Sequence, residues 1–340
     1  MYIYKRWIQQ SFLIILLLFT SNCMFLYYLD TYAIAKPHNK YYSVPNQRFL
    51  IVEYLKENAH KYNTYIFGSS RVGYINPLHL NYKHTYNLSV GAGIPHEHLL
   101  MLQYLIKNKI HIENILIALD DFSFTVPYDV HKNSLNLRSH YLITQESKLD
   151  FYKSYFIRSI NNQDIKQFKR KLLSQKVPIE IHNIKQAIFN QEKFYKNQKI
   201  ENLNTVTAAI LKQKTSQKKY LPKALSHFIG QDNIKQTLQD IKQIIKLCKH
   251  YKISYKIILN PMSKTLAHSI NQNLYIKFKT KLAYITDYYD FSQPNPINNN
   301  QIYWIEPSHY KLYVGDLILQ RIYENNTSIP NFGVYIKNKK

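Results

Sequence analysis

Between residues 63 and 119 the chain alternates strand, glycine-bearing turn and helix, and this rhythm narrows its possible folds more than any other feature. Asn63 to Phe67 is a short apolar run ending at Gly68-Ser69-Ser70-Arg71. Thr85 to Val90 reads as a second strand, broken at Gly91-Ala92-Gly93. Pro95 then suits the first turn of a helix carried on by Leu99, Leu102 and Leu105 or Ile106. Glu113 to Leu119 is a third strand with Asp120-Asp121 at its carboxyl end. Strands and helices in this order form a parallel sheet with helical cover. Of seven glycines, Gly68, Gly73, Gly91 and Gly93 fall within 26 residues. Such crowding in a glycine-poor chain marks backbone that turns tightly or comes close to a ligand.

The rhythm lapses after Phe124. Residues 126–230 are rich in Lys, Asn, Gln and Ser, with helical stretches near 146–172 and 183–215, and read as a helical insertion or cap. The αβ pattern then returns. Ile234, Leu238, Ile241, Ile245 and Cys248 recur at helical spacing, a strand follows at Tyr255 to Leu259, and a helix runs from about Lys264 to Tyr284. Thr286 to Phe291 reads as a fifth strand, and the last helix uses Leu312, Val314, Leu317, Ile318 and Ile322. The expected plan is an anchor over 1–30, an extended tether over 31–50, a first half-domain over 51–125, the insertion over 126–230 and a second half-domain over 231–340. The expected fold class is α/β, three-layered, with a parallel sheet.

Trp7 to Leu29 contains no charged residue over 23 positions, and as a helix it measures about 35 Å, enough to cross a bilayer. Trp7 at one end and Tyr27 with Tyr28 at the other suit the two interfaces, and Lys5 with Arg6 favour a cytoplasmic N-terminus. The competing reading is a signal peptide cleaved after Ala33-Ile34-Ala35, which would make the signal 35 residues long. Either reading exports the rest of the chain. Cys23 fits a lipoprotein signal poorly, and Cys248 stands alone in the exported part, so no internal disulfide forms there.

The net charge is +24 and is spread along the chain, with clusters at Lys166, Lys169, Arg170 and Lys171 and at Lys212, Lys214, Lys218 and Lys219. No helix-turn-helix, zinc-ligand spacing or ribonucleoprotein motif accompanies it, so nucleic acid is not expected as a partner. A solvated basic face attracted to anionic lipid headgroups or acidic polymers fits better. Codon bias towards lysine is the plainer explanation.

Ser70, Gly91 and Asp121 each follow a strand by no more than three residues, which brings them to one edge of a parallel sheet, where ligands bind. A serine on a turn after a strand is held where its hydroxyl can attack, and an imidazole is the group best able to take its proton near neutral pH. His309 is the only histidine after His268, and Glu306 precedes it by three residues, within reach of its ring. Against this, serine and glycine are ordinary turn formers, and Arg71 either binds an anionic substrate group or pairs with Asp121. His96-Glu97-His98 resembles a ligand cluster, but positions i and i+2 of a helix point to different faces, so no metal is expected.

The segments Gly68-Ser69-Ser70, Gly91 and Glu306-Pro307-Ser308-His309 resemble the SGNH, or GDSL-type, hydrolase superfamily over roughly residues 60–125 and 231–325. The likeness is to the membrane-anchored branch found with cell-envelope O-acetylation and D-alanyl transfer systems. The resemblance implies a flavodoxin-like sheet topology, Ser70 as nucleophile, His309 as base, Glu306 as its orienting carboxylate, and an oxyanion hole from the N–H groups of Ser70 and Gly91. Arg71 and Asp121 would bind substrate. It implies no cofactor, a cell-envelope polysaccharide or other glycopolymer as partner, and an association with a membrane-bound O-acyltransferase. The implied location is the inner (cytoplasmic) membrane, single-pass, with the catalytic domain on the extracytoplasmic side. Two positions depart from the family. Asp120 stands where an asparagine helps hold the oxyanion, and Glu306 stands where an aspartate is usual. The resulting expectation is a serine esterase or O-acyltransferase, with an inactive, polymer-binding relative as the alternative.

Overall fold

The structure is a computed structural model and describes residues 2–37, 43–80, 84–175, 179–198 and 231–339. The chain divides into two compact units, one from Met1–Lys56 with His131–Asn190 and the other from Glu57–Val130 with Gln191–Lys340. The basic cluster at Lys212, Lys214, Lys218 and Lys219, and the end of the helical stretch expected to reach 215, lie outside the described residues.

The second unit is the α/β domain. Its sheet has six strands: β1 (Thr64–Phe67), β2 (Thr85–Asn87), β3 (Asn114–Leu119), β4 (Ser254–Leu259), β5 (Tyr288–Asp290) and β8 (Val334–Ile336). They are ordered β2-β1-β3-β4-β5-β8, parallel throughout except for β8, which runs antiparallel to β5. The five parallel strands were legible as apolar runs because both faces of the sheet are covered. On one face Ile66, Leu116, Ala118 and Ile258 pack with Val314, Ile318 and Ile322 of the helix Leu312–Tyr323. The alternate side chains, Tyr65, Phe67, Ile115, Ile117 and Ile257, are also buried. The helices Pro95–Lys107 and Ile234–His250 contact each other, and the second also packs on β4. All five residues of its expected apolar stripe, Ile234, Leu238, Ile241, Ile245 and Cys248, are buried.

Two local expectations change. The helix expected over 264–284 is two helices, Lys264–Ala267 and Gln272–Leu282. Asn271 starts the second by accepting a hydrogen bond from the Leu274 N–H, and this side chain competes with helical continuation. The second strand stops at Asn87 rather than Val90, although a parallel bridge still joins Ser69 to Val90.

The first unit combines the N-terminal helix (Tyr2–Leu29), a helix over Gln47–Asn58, and helices over Lys148–Phe156, Asn162–Leu172 and Ile179–Phe189. Tyr4–Leu29 is long and apolar enough to cross a membrane, with a mean hydropathy of 2.1. The described part of the tether expected over 31–50, residues 31–37 and 43–50, is folded, and from Gln47 it is the helix Gln47–Asn58. The Asp30 carboxylate accepts the N–H groups of Ile34, Ala35 and Lys36 at 2.7, 3.0 and 2.7 Å. That ring of donors curls the chain and buries Tyr32, Ala33 and Ile34. Asn46 is fully buried and donates to Leu135 O and Arg138 O at 3.1 and 2.8 Å. The described part of the insertion expected over 126–230 falls in both units. Residues 131–190 share a unit with the N-terminal segment, and 191–198 belong with the sheet. There Gln191 pairs with both backbone groups of Asn87 at 2.8 and 2.7 Å, closing the edge of β2.

Gly315 lets the helix Leu312–Tyr323 lie against the turn that follows β1. A Cβ on it would stand 2.1 Å from the Tyr74 carbonyl oxygen. Gly315→Ala is expected to destabilise the protein by about 1–3 kcal/mol through overpacking against rigid backbone. Gly73→Ala meets only the movable Ser89 hydroxyl at 3.3 Å and should cost under about 1 kcal/mol. Urea unfolding of both variants checks this, and equal midpoints would contradict it.

Candidate active site

β1 ends at Phe67 and the chain enters a 3₁₀ turn over Ser70–Tyr74. Ser69 caps the turn, its Oγ accepting the Arg71 N–H at 3.2 Å. This separates two serines that the sequence leaves side by side. Ser69 is buried and its hydroxyl serves the backbone, whereas Ser70 is half-buried and its Oγ lies 2.8 Å from His309 Nε2. The two residues are 239 positions apart in the chain.

His309 comes from a hairpin. β6 (Trp304–Glu306) and β7 (His309–Tyr310) pair antiparallel, with Glu306 opposite His309. Pro307 and Ser308 form the turn, where the fixed φ of proline suits the first position. Directly opposed residues on such a pair have neighbouring Cβ atoms, so a glutamate reaches across to the ring. Glu306 Oε1 contacts His309 Nδ1. Ser308, itself buried, donates its hydroxyl to the same oxygen at 2.6 Å and its backbone N–H to Oε2 at 3.0 Å. Burial raises the Glu306 pKa, but the hydrogen bonds from His309 and Ser308 outweigh it and hold the carboxyl below its ordinary value. Glu306 is thus ionised at neutral pH. The stability it lends is present above the ordinary carboxylate range and is lost as pH falls through the lowered value. With Nδ1–H donating to this carboxylate, Nε2 is the free acceptor, a tautomer assigned from the network.

The glycines act by close approach. A Cβ at Gly68 would meet Val72 Cγ2 at 2.7 Å, and one at Gly93 would meet the Gly68 carbonyl oxygen at 2.7 Å. Among the described residues only Gly333 is a glycine with positive φ, so Gly91 and Gly93 are not there for left-handed backbone. That conformation falls instead on Ala92, at φ 53°. The bridge from Ser69 to Val90 brings the next residues, Ser70 and Gly91, level with each other.

Arg71 and Asp121, expected to bind substrate, are buried and paired with each other. Arg71 is 3% exposed, and its Nη1 donates to Asp120 Oδ1 at 2.8 Å and to Asp121 Oδ1 at 2.5 Å. Burial works against the guanidinium charge, but the two carboxylates outweigh it and raise the pKa. Asp120 accepts a further hydrogen bond from Asn260 Nδ2 at 2.9 Å, and Asn260 Oδ1 accepts one from the Tyr310 hydroxyl at 3.3 Å. Asn260 and Tyr310 were missed in sequence, though each directly follows an element end or the candidate base. Asn87 was missed too. Its Nδ2 donates to Val72 O and Ile75 O at 2.7 and 3.1 Å and so braces the Ser70 turn. In the segment His96-Glu97-His98, His96 faces Asp240 at 3.3 Å while His98 is buried near Phe67.

Ser70, Gly91, Asp120, Asp121 and Asn260 all follow parallel strands at the carboxyl edge of the sheet. Strand order reverses between β1 and β3, the position where open sheets of this order hold ligands. No family model matches the chain, and no curated protein matches it.

Removing the buried cation leaves two carboxylates facing each other out of water. Arg71→Met is expected to cost about 3–5 kcal/mol, with part recovered when Asp120→Asn and Asp121→Asn are added. Urea unfolding measures both, and an undisturbed midpoint for Arg71→Met would contradict the ion cluster.

Proposed function

We propose that this protein is an SGNH-like serine esterase or O-acyltransferase with flavodoxin-like sheet topology, acting on acyl esters of an extracytoplasmic glycopolymer. The observation that carries the reading is the relay Ser70 Oγ, His309 Nε2, His309 Nδ1, Glu306 Oε1. In the reaction, Ser70 Oγ bonds to the acyl carbon as its proton passes to Nε2. Glu306 stabilises the imidazolium that forms. Nε2 then protonates the departing alcohol as the ester bond breaks. Water or a sugar hydroxyl next gives its proton to Nε2 and attacks the acyl-serine, which releases an acid or a new ester and restores Ser70.

The oxyanion falls to backbone donors, the N–H groups of Ser70 and Gly91, each worth about 3 kcal/mol when aimed at the developing charge. Asp120 offers no donor while ionised, and its contacts with Arg71 and Asn260 make it part of the scaffold. That departure favours the second reading, a catalytically inactive relative that binds a polymer or assists a membrane-bound O-acyltransferase.

A retained membrane anchor, single-pass in the inner membrane with the sheet domain outside the cytoplasm, completes the proposal. Cleavage after Ala35 would remove Leu26, Leu29, Tyr32, Ala33 and Ile34, all at 6% exposure or less, from the core of the first unit. A segment that supplies core side chains is retained.

Hydrolysis of short acyl esters by the purified chain should fall by at least about 10³-fold in Ser70→Ala and by about 10²–10⁴-fold in Glu306→Gln. Ser69→Ala should keep most of the activity. Equal rates for native protein and Ser70→Ala would eliminate the enzymatic reading in favour of the second one.

A further inference from the structure

The helix Asn162–Leu172 is inside out. Its buried residues are polar, with Asp164 and Gln167 both at 0% exposure. Its apolar residues at helical spacing, Ile165, Phe168 and Leu172, are 46, 39 and 68% exposed, and Leu173 follows at 61%. Nothing is amiss with the buried side, since Asp164 accepts from Thr31 Oγ1 at 2.6 Å and from Arg158 Nη1 at 2.6 Å. Gln167 donates to Leu29 O at 3.3 Å and accepts from Ser43 Oγ at 3.1 Å. These contacts fasten the helix to the chain just where the N-terminal helix ends. Phe168 lies on Phe25 with ring centroids 5.5 Å apart, Asn22 Nδ2 donates to Arg158 O at 2.9 Å, and the Lys171 ammonium sits 4.2 Å over the Tyr28 ring.

The N-terminal helix is almost wholly exposed from Trp7 to Ser21, and Phe25 and Tyr28, where Phe168 and Lys171 sit, lie about 27 and 32 Å along it from Trp7, against a hydrocarbon core of about 30 Å. Its covered face begins at Asn22. The outward apolar stripe of Asn162–Leu172 therefore starts at the depth where the bilayer would end. Lys166 and Lys169 flank that stripe and are exposed.

We propose that the helix Asn162–Leu172 lies in the bilayer interface, with Ile165, Phe168, Leu172 and Leu173 in the acyl boundary and Lys166 and Lys169 on anionic phospholipid headgroups. Together with the N-terminal helix it forms a two-point mount that fixes the orientation of the first unit at the membrane. The inference rests on the anchored reading above. Its physical basis is that an apolar helical face with basic flanks gains free energy at an anionic interface and none in water.

The test uses the full chain in vesicles, with the native cysteines replaced by Cys23→Ser and Cys248→Ala. An environment-sensitive nitrobenzoxadiazole label is placed in turn through Leu16→Cys, Leu172→Cys and Ile165→Cys, and quenching by spin-labelled lipids is read. Quenching at Leu16 by deep probes and at Leu172 and Ile165 by shallow probes is the expected result. Quenching at Leu172 and Ile165 should strengthen when phosphatidylglycerol is mixed into phosphatidylcholine. Lys166→Gln with Lys169→Gln should abolish that strengthening. Quenching at Leu16 without quenching at Leu172 and Ile165 would overturn the inference, leave the anchor intact and assign the stripe to a protein partner. An unquenched Leu16 would remove the anchor and the inference together. Insensitivity to phosphatidylglycerol would overturn the role of the lysines.

Discussion

The buried charge of Arg71 fixes the rest of the candidate site. The residue immediately after Ser70 is locked to Asp120 and Asp121 at the end of β3, in a place with almost no solvent. Asp120 extends the lock through Asn260, after β4, to Tyr310, the neighbour of His309. One chain of hydrogen bonds thus runs from the nucleophile's turn, across two strand ends, to the residue beside the base. A buried ion stripped of its partners is far more costly than an ordinary lost contact, so this network holds its geometry tightly. Ser70 and His309, 2.8 Å apart, are the chain neighbours of the two ends of that network, Arg71 and Tyr310.

Packing supports the same arrangement from the other side. Gly315 removes the one Cβ that would keep the C-terminal helix away from Tyr74, and Asn87 ties the Ser70 turn to β2 through two carbonyls. Among the glycines near Ser70, Gly93 serves a close backbone approach to the Gly68 carbonyl, and Gly68 makes room for the Val72 side chain. The strain that glycine would have avoided is carried by Ala92. Left-handed backbone at an alanine costs of order 1 kcal/mol and persists only where its surroundings dictate it.

The sheet was legible from sequence because strands covered on both faces are continuous apolar runs, and the meeting of Ser70, His309 and Glu306 was expected from residue type, position and the family resemblance. The hairpin holding His309 was not, since two- and three-residue strands leave no periodic signal. Arg71 looked like a ligand group because sequence carries charge but not burial. The helix Asn162–Leu172 misleads more deeply. Its apolar spacing is that of a core-facing stripe, yet Thr31, Ser43 and Leu29 supply polar partners for Asp164 and Gln167, and the helix turns that face inward. Thr31, Ser43 and Leu29 lie more than 120 positions away, so no local pattern encodes those partners, although Arg158, six positions from Asp164, adds a local one.

These elements describe a sheet domain with a serine, an imidazole and a carboxylate in line at its carboxyl edge, in a chain whose N-terminal helix is fit to hold a membrane. The most direct measurement is the reaction of the intact chain with a fluorophosphonate, followed by peptide mapping of the labelled residue. An activated hydroxyl predicts a single adduct on Ser70 that is lost in His309→Ala. Labelling absent from Ser70, or unchanged when His309 is removed, would contradict the account.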